Sequence, residues 1–499
     1  MDRTWISRRD ALRALAASGL GLAAGAASAA AGGVADRMPR QGRGELLIRG
    51  GRVVNAADIR DADIRIVGET IAEIGTGLSP GVGARVIEAA GRLVMPGGID
   101  PHTHLQPNFV DDLTSGSRAA LAGGITTVGT FAGTRQGETV LDALERLAGL
   151  VRTDAIADVI LHATTWPPAP ELTAAIPGLA ERGQPSCKIY MTRQDFGAHL
   201  AEVIKLLEAA RDAGVVTMIH CEDGALLAAA VRRLQAAGRT TLRDYPQSRP
   251  LIAEVAATQQ AAALCESTGA PMHVVHLSSR RALEACRPAR AAGLPFFVET
   301  RPLYLHLTEE RMTGPQAPLY VGQPPLRSQE DAEALWRGLA DGSIDVLATD
   351  HAPWTREQKL DPALSITRLR PGVSNLQVML PMYFSEGVGK RKLSLERFVE
   401  TTSTNAARIF GLYPRKGVIQ VGSDGDVVIW DPRRTATVRG DDDWSKSDYS
   451  VYEGWEVTGW PEVTIRRGEV VCQNGQVMGR TGTGKLAARE PWRVLRSEP

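Results

Sequence analysis

The sequence predicts a parallel (β/α)8 barrel, a TIM barrel, carried on a small β-sandwich that is built from the N- and C-terminal segments. Three observations predict it. Short runs of β-branched and apolar residues end near His104, Thr130, His162, Lys188, His220, His276, Glu299 and Asp350, and alanine- and leucine-rich stretches separate most of them. Eight strands over about 250 residues is the usual size of such a barrel, and its functional residues collect at the C-terminal strand ends. Blocks of short strands with turns lie before and after this region. A doubly wound sheet is the alternative, but it gathers its ligands at one crevice rather than from nearly every strand.

Residues 1–42 read as an export signal and linker. Ser7-Arg8-Arg9-Asp10-Ala11-Leu12 carries a twin arginine, and an Ala/Gly/Leu run leads to small residues at Ala27-Ser28-Ala29. The run contains Arg13 and is too rich in alanine and glycine for a membrane span. The expected location is therefore periplasmic, by the twin-arginine route, with no stable membrane span after cleavage.

Residues 43–96 form the first part of the sandwich, with strands at Leu46-Leu47-Ile48, Arg52-Val53-Val54, Ile64-Arg65-Ile66-Val67, Ile71-Ala72-Glu73-Ile74 and Arg85-Val86-Ile87. Residues 412–480 form the second, with strands at Asp426-Val427-Val428-Ile429-Trp430, Val463-Thr464-Ile465 and Glu469-Val470-Val471. Neither block buries a good core alone, so one sandwich is built from both and the barrel, residues 97–411, is inserted in it. Residues 481–499 are a C-terminal tail.

Composition fits a soluble enzyme with a small-molecule partner. Of 499 residues, 43% are hydrophobic and 57 are basic against 57 acidic, which leaves no electrostatic footprint for nucleic acid or an acidic membrane. The five cysteines are odd in number and lack metal-finger spacing, so no disulfide framework is implied. Cys187 and Cys221 flank Lys188 and His220, point to the opposite strand face, and read as small buried apolar side chains.

The candidate site starts at Gly97-Gly98-Ile99-Asp100-Pro101-His102-Thr103-His104. Side chains at i and i+2 of a strand point the same way, so both imidazoles can reach one metal ion. Lys188, His220, His276 and Asp350 close later strands. Alternation turns His273 and His351 away from the side chains of His276 and Asp350. His162 ends the third strand, where it can line the pocket, whereas His199 and His306 read as surface or packing residues. For Glu299 a structural and a catalytic role both stay open.

These residues resemble the amidohydrolase superfamily and, within it, the dihydropyrimidinase and hydantoinase group of cyclic amidohydrolases. Ala122-Gly123-Gly124-Ile125-Thr126-Thr127, Pro324-Pro325-Leu326-Arg327, Thr349-Asp350-His351-Ala352-Pro353 and Thr402-Ser403-Thr404-Asn405-Ala406-Ala407-Arg408-Ile409-Phe410 carry the likeness, which spans Glu45 to about Gln476. The resemblance implies two divalent ions, zinc by ligand type. His102, His104 and Asp350 would hold one, His220 and His276 the other, and Lys188, carboxylated on its side-chain nitrogen, would bridge them. Asp350 would act as the proton-transferring base. It also implies a homo-oligomer, a tetramer in this group, and a cyclic amide or ureide as substrate.

Two positions depart from the group. Arg193 stands where a tyrosine usually assists the tetrahedral intermediate, and is assigned a catalytic or substrate-binding role in its place. Arg301 stands where a cysteine or small residue is usual, with Leu303 after it. A guanidinium stabilises an oxyanion or grips a carboxylate, and the competing reading is a salt bridge at the pocket rim. Gln106 replaces the arginine of dihydroorotases. Dihydroorotase-like, allantoinase-like and N-acyl amino acid amidohydrolase activities remain alternatives. A non-catalytic dihydropyrimidinase-like scaffold would have lost the ligands, and all six are present here.

Overall fold

The computed structural model describes residues 44–105, 108–164 and 170–493; the twin-arginine segment and Gln106 lie outside the described residues. Five strands precede the barrel: β1 (Glu45–Val54), β2 (Ile59–Val67), β3 (Thr70–Gly75), β4 (Arg85–Glu88) and β5 (Leu93–Pro96). The runs Leu46–Ile48 and Arg52–Val54, expected as separate strands, form the single strand β1. Its register against β2 shifts between Ile48 and Gly51, and Gly50 turns the chain there with φ of +70°. That left-handed backbone suits a residue without Cβ, so the bend stays within one strand.

The barrel strands are β6 (Gly98–Thr103), β7 (Ile125–Gly133), β8 (Asp158–Thr164), β9 (Ser186–Tyr190), β10 (Val216–His220), β11 (Met272–Val274), β12 (Phe296–Thr300) and β13 (Val346–Leu347). They pair in parallel and in sequence order. The bridge Thr103↔His351 and the bond from His104 N to His351 O, 2.7 Å, bring the last strand end back to the first. Helices fill the outside as their patterns require. In Val140–Asp154 the buried Val140, Ala143, Leu144, Leu147, Ala148 and Val151 recur at helical spacing, and Thr139 and Asp142 form a capping box at its start.

After the barrel come β14 (Val427–Thr437), β15 (Glu456–Arg466), β16 (Glu469–Gln473) and β17 (Gln476–Val477). The two ends of the chain meet where β14 pairs with β5, giving one mixed sheet in the order β17-β16-β15-β14-β5-β1-β2-β3, with β4 beside β1. Ile48, Val53, Ile64, Val94, Val427, Ile429 and Ile465 pack into a core of its own. Lys416 bolts the sheet to the barrel: its buried Nζ lies 2.8 Å from Asp158 on β8, 2.6 Å from Asp426 and 3.0 Å from Asp424.

Two segments reach further than the sequence indicates. The β14–β15 connection covers the C-terminal face of the barrel, where Ser445 Oγ donates to Asp111 Oδ2 (2.6 Å) and Ser447 Oγ to the Trp354 carbonyl (3.0 Å). The start of the tail runs along β8, with Ala487 N donating to Val159 O at 2.8 Å. No helix among the described residues is long and apolar enough to cross a membrane.

Candidate metal centre

Five strand ends place the six predicted ligands around one space. From the end of β6, His104 Nε2 lies 3.0 Å and His102 Nε2 3.3 Å from Asp350 Oδ1, which follows β13. Ligand atoms of these three residues lie within 4.8 Å of one another, close enough to share an ion. Lys188 on β9 puts Nζ 3.1 Å from His102 Nε2. The His276 ring, beyond β11, is centred 5.5 Å from His102 and 4.3 Å from His220 at the end of β10.

The backbone is bent to make this possible. His276 and Asp350 adopt φ of +40° and +46°, a left-handed conformation that costs about 1–3 kcal/mol for a residue with a side chain and persists only where the surroundings impose it. The Glu299 carboxylate supplies part of that constraint by accepting from His276 N at 2.9 Å. Gly129 on β7 is required for a different reason. A Cβ there would lie 2.3 Å from the Pro101 carbonyl oxygen and 2.6 Å from His162 Nε2, so only glycine lets β7 pass this close to the strand carrying His102.

Carboxylates behind the ligands set which ring nitrogen faces inward. Glu299 Oε1 is 2.7 Å from His102 Nδ1, which leaves Nε2 for the site. Glu222 Oε2 is 2.8 Å from His220 Nε2, so Nδ1 is that ring's free nitrogen, and Arg249 in turn holds Glu222 through Nε at 3.0 Å. Asp100 ties β6 to β13 by accepting from His102 N (3.1 Å) and from Thr349 Oγ1 (2.5 Å).

Burial decides most of the charge states. It pulls His102 down to about 4, helped by the Lys188 ammonium, and lowers His220 and His276 as well. These three imidazoles are therefore neutral near pH 7, as a metal ligand must be. Burial also lowers the Lys188 amine to about 8. Asp350 and Glu299 are held well below the usual carboxylate range against their burial, Asp350 by Arg301 and His102, Glu299 by His102 and His273. A set of imidazoles and a carboxylate without thiolate fits a divalent ion such as zinc. His276 Nδ1 is buried without a hydrogen-bond partner.

An aromatic wall flanks the ligands. Phe131 stacks on His104 at 4.9 Å, and its ring lies 4.9 Å from Lys188 Nζ; Phe109 and Trp354 extend the wall.

A scan against protein-family models matches the amidohydrolase family over residues 93–471. The chain belongs to the amidohydrolase family. It is 35% identical to the D-phenylhydantoinase of Escherichia coli O1:K1 over 455 residues, 90% of this chain and 98% of that protein. The solved D-hydantoinase (dihydropyrimidinase) from Thermus sp. superposes with a TM-score of 0.86 at 34% identity over 89% of this chain and 99% of that one. The dihydropyrimidinase from Brevibacillus agri gives 0.85 at 32% identity over 90% and 99%. This amidohydrolase is thus hydantoinase-like, a hydrolase of carbon–nitrogen bonds other than peptide bonds.

Several sequence expectations need correction in this amidohydrolase. Arg193 is 54% exposed, with Nε 3.9 Å from Asp195, a residue outside the six candidate ligands. The aromatic residue beside the lysine is instead Tyr190, two positions on along β9 and hence on the same strand face, with its ring 5.4 Å from Lys188 Nζ. Arg301 is not at the rim: it is fully buried and donates to Asp350 Oδ2 at 2.6 Å. His162 does not line the pocket. Its nitrogens are occupied inside the barrel by Ser186 Oγ (2.7 Å) and the Pro101 carbonyl (2.9 Å). His273 and His351 are turned to Glu299 and Asp111, as alternation requires.

Glu222 and Arg249 escaped the sequence reading. Glu222 lies two residues after His220, a spacing that could have pointed to it, whereas Arg249 comes from a distant loop with no local signal. A cleft of about 530 Å³ lined by Phe297, Ile409 and Trp492 opens where β12 begins, at the barrel end opposite the ligands.

Proposed function

We propose that this amidohydrolase opens the ring of cyclic amides or ureides of the hydantoin and dihydropyrimidine class. The site would hold two divalent ions, zinc by donor type, bridged by a carboxylated Lys188. The observation that carries this reading is the meeting of His102, His104, Lys188, His220, His276 and Asp350 from five strand ends, together with the names of the relatives. Two such ions, when bound, polarise an amide carbonyl and acidify the attacking water.

The chain's own groups do the rest. An amine lowered to about 8 is partly unprotonated near neutral pH and adds to carbon dioxide, losing a proton, to become the anionic bridging carbamate. Asp350, beside both imidazoles of the His-x-His pair, takes the proton of the attacking water. As the new C–O bond forms and the ring C–N bond breaks, that proton passes to the departing nitrogen. The wall of Phe131, Phe109 and Trp354 packs against an apolar ring substituent.

Metal analysis combined with a substrate panel tests this reading. Purified protein should carry close to two divalent ions, and Lys188→Ala should lose most of them, because one ligand serves both. Hydantoins and dihydropyrimidines should be opened faster than allantoin, dihydroorotate or N-acyl amino acids. Unchanged metal content in Lys188→Ala sinks the bridge, and activity confined to N-acyl amino acids sinks the cyclic substrate.

The proposed location is the periplasm, supported by the twin arginine Arg8-Arg9 and the small-residue run that follows. Residues 1–42 fused to a reporter should export it, and Arg8→Lys with Arg9→Lys should block export.

A further inference from the structure

Arg301 follows β12 and precedes Pro302, with its backbone extended and its side chain carried under the site. The guanidinium is fully buried. Nη1 donates to Asp350 Oδ2 at 2.6 Å, while Nε and Nη2 are buried with no hydrogen-bond partner. The Tyr304 ring lies 5.4 Å from the guanidinium carbon, and Gly322 packs beside it, where an added Cβ would be in ordinary contact with Nη1 at 3.5 Å and would crowd Leu303 Cδ2 at 2.9 Å. The cation is shut off from the protein surface. A buried charge of this kind is tolerated only beside an opposite one, and Asp350 is the carboxylate in contact with it.

The same carboxylate is divided between two tasks. Oδ2 is held by Arg301, while Oδ1 faces His104 Nε2 at 3.0 Å and His102 Nε2 at 3.3 Å. The carboxylate sits on a residue with φ of +46°, so the backbone does not by itself favour this orientation. We propose that Arg301 is a positioning residue for Asp350: it fixes the carboxylate with one oxygen turned to the His102–His104 pair, so that this edge of the site is assembled before any ion arrives. The dependence runs both ways. Asp350 keeps Arg301 buried, so replacing Asp350 alone strands a cation in the core and damages more than the proton transfer it is meant to probe.

The proposal rests on the metal reading of the His102–His104–Asp350 edge in one part, and on the ion pair alone in the other, and the experiment separates them. Full-length Arg301→Met, Arg301→Lys, Asp350→Asn and the double variant Asp350→Asn/Arg301→Met are stripped of metal. Zinc affinity is then measured by competition with a chromophoric chelator, and thermal midpoints are recorded for the metal-free proteins. Arg301→Met should weaken the affinity for zinc at least about tenfold, the range seen when a group orienting a metal ligand is lost. It should lower kcat with little change in KM, because Asp350 is displaced and substrate contacts are not. Arg301→Lys, which keeps the charge at the same depth, should recover part of both losses.

In the metal-free series Asp350→Asn should melt earlier than wild type, and the double variant should melt later than Asp350→Asn, since it removes the stranded cation. Wild-type zinc affinity and kcat in Arg301→Met would overturn the positioning role. Additive shifts in the two single variants would overturn the mutual dependence. Neither result touches the bridge assigned to Lys188, which Lys188→Ala tests separately.

Discussion

Glu299 joins His102 and His273 through one buried carboxylate, Oε1 to His102 Nδ1 at 2.7 Å and Oε2 to His273 Nε2 at 2.9 Å. One oxygen orients a candidate ligand while the other is anchored to a histidine that strand alternation turns away from the ligand cluster. The carboxylate also accepts from His276 N, so it couples two candidate ligands that stand on different strands.

Glu299→Gln keeps the shape but offers an amide in place of an acceptor-only group. It cannot serve His102 Nδ1, His273 Nε2 and His276 N together unless one of the rings changes tautomer. Metal affinity is expected to fall about 10–100-fold, and chelator competition measures it. Unaltered affinity would assign Glu299 a purely packing role.

Glu222 stands between His220 and Arg249 and is held down to about 2, against burial, chiefly by Arg249. Removing one partner of such a pair leaves a buried charge uncompensated, at a cost of about 3–5 kcal/mol. Glu222→Gln should therefore destabilise the protein strongly in denaturant unfolding. Glu222→Gln/Arg249→Met should recover much of the loss; failure to recover any would mean that Arg249 finds another anion.

The pH dependence of the metal-free protein follows from opposed shifts. His102 ionises at about 4 when folded against an ordinary 6.5, so the unfolded chain takes up a proton that the folded chain refuses. Its contribution therefore lowers stability as pH falls from 6.5 to 4, by up to about 1.4 kcal/mol per pH unit. His220 and His276 act in the same sense. Asp100, raised by burial to about 7 from 3.8, acts in the other, because the folded state takes up its proton first. Metal-free Asp100→Asn should consequently lose thermal midpoint more steeply than wild type between pH 6.5 and 4. Parallel melting curves for the two proteins would refute this balance.

Lys416 neutralises Asp158, Asp424 and Asp426 at the joint between barrel and sandwich. The three carboxylates have the spacing of a metal site, but the ammonium already sits among them. Lys416→Met should lower stability by at least about 3 kcal/mol, as for other broken buried ion pairs, and leave the metal content of the folded protein unchanged. A variant that melts like wild type would show that the joint does not depend on this lysine.

How much of this could be read before the structure depends on range. Strand alternation is local, so the pairing of His102 with His104, the turning away of His351 and His273, and the apolar fate of Cys187 and Cys221 follow from neighbours in the chain. Each barrel strand ends in a recognisable apolar run, which made the eight strands and the split sandwich legible from the sequence. Short-range pattern failed where direction was set from afar. His162 was drawn inward by Ser186 on the next strand, and the Arg193 side chain is more than half exposed. What the sequence by itself determined is the inventory and order of the candidate ligands, because a repeating strand places each at a predictable end. Only the tertiary structure decided their partners. Arg301 meets Asp350 across 49 residues, Glu299 meets His102 across 197, and Ser445 meets Asp111 across 334. Such contacts arise when barrel closure and the return of the chain bring remote segments together, and buried charges then take the nearest available opposite charge.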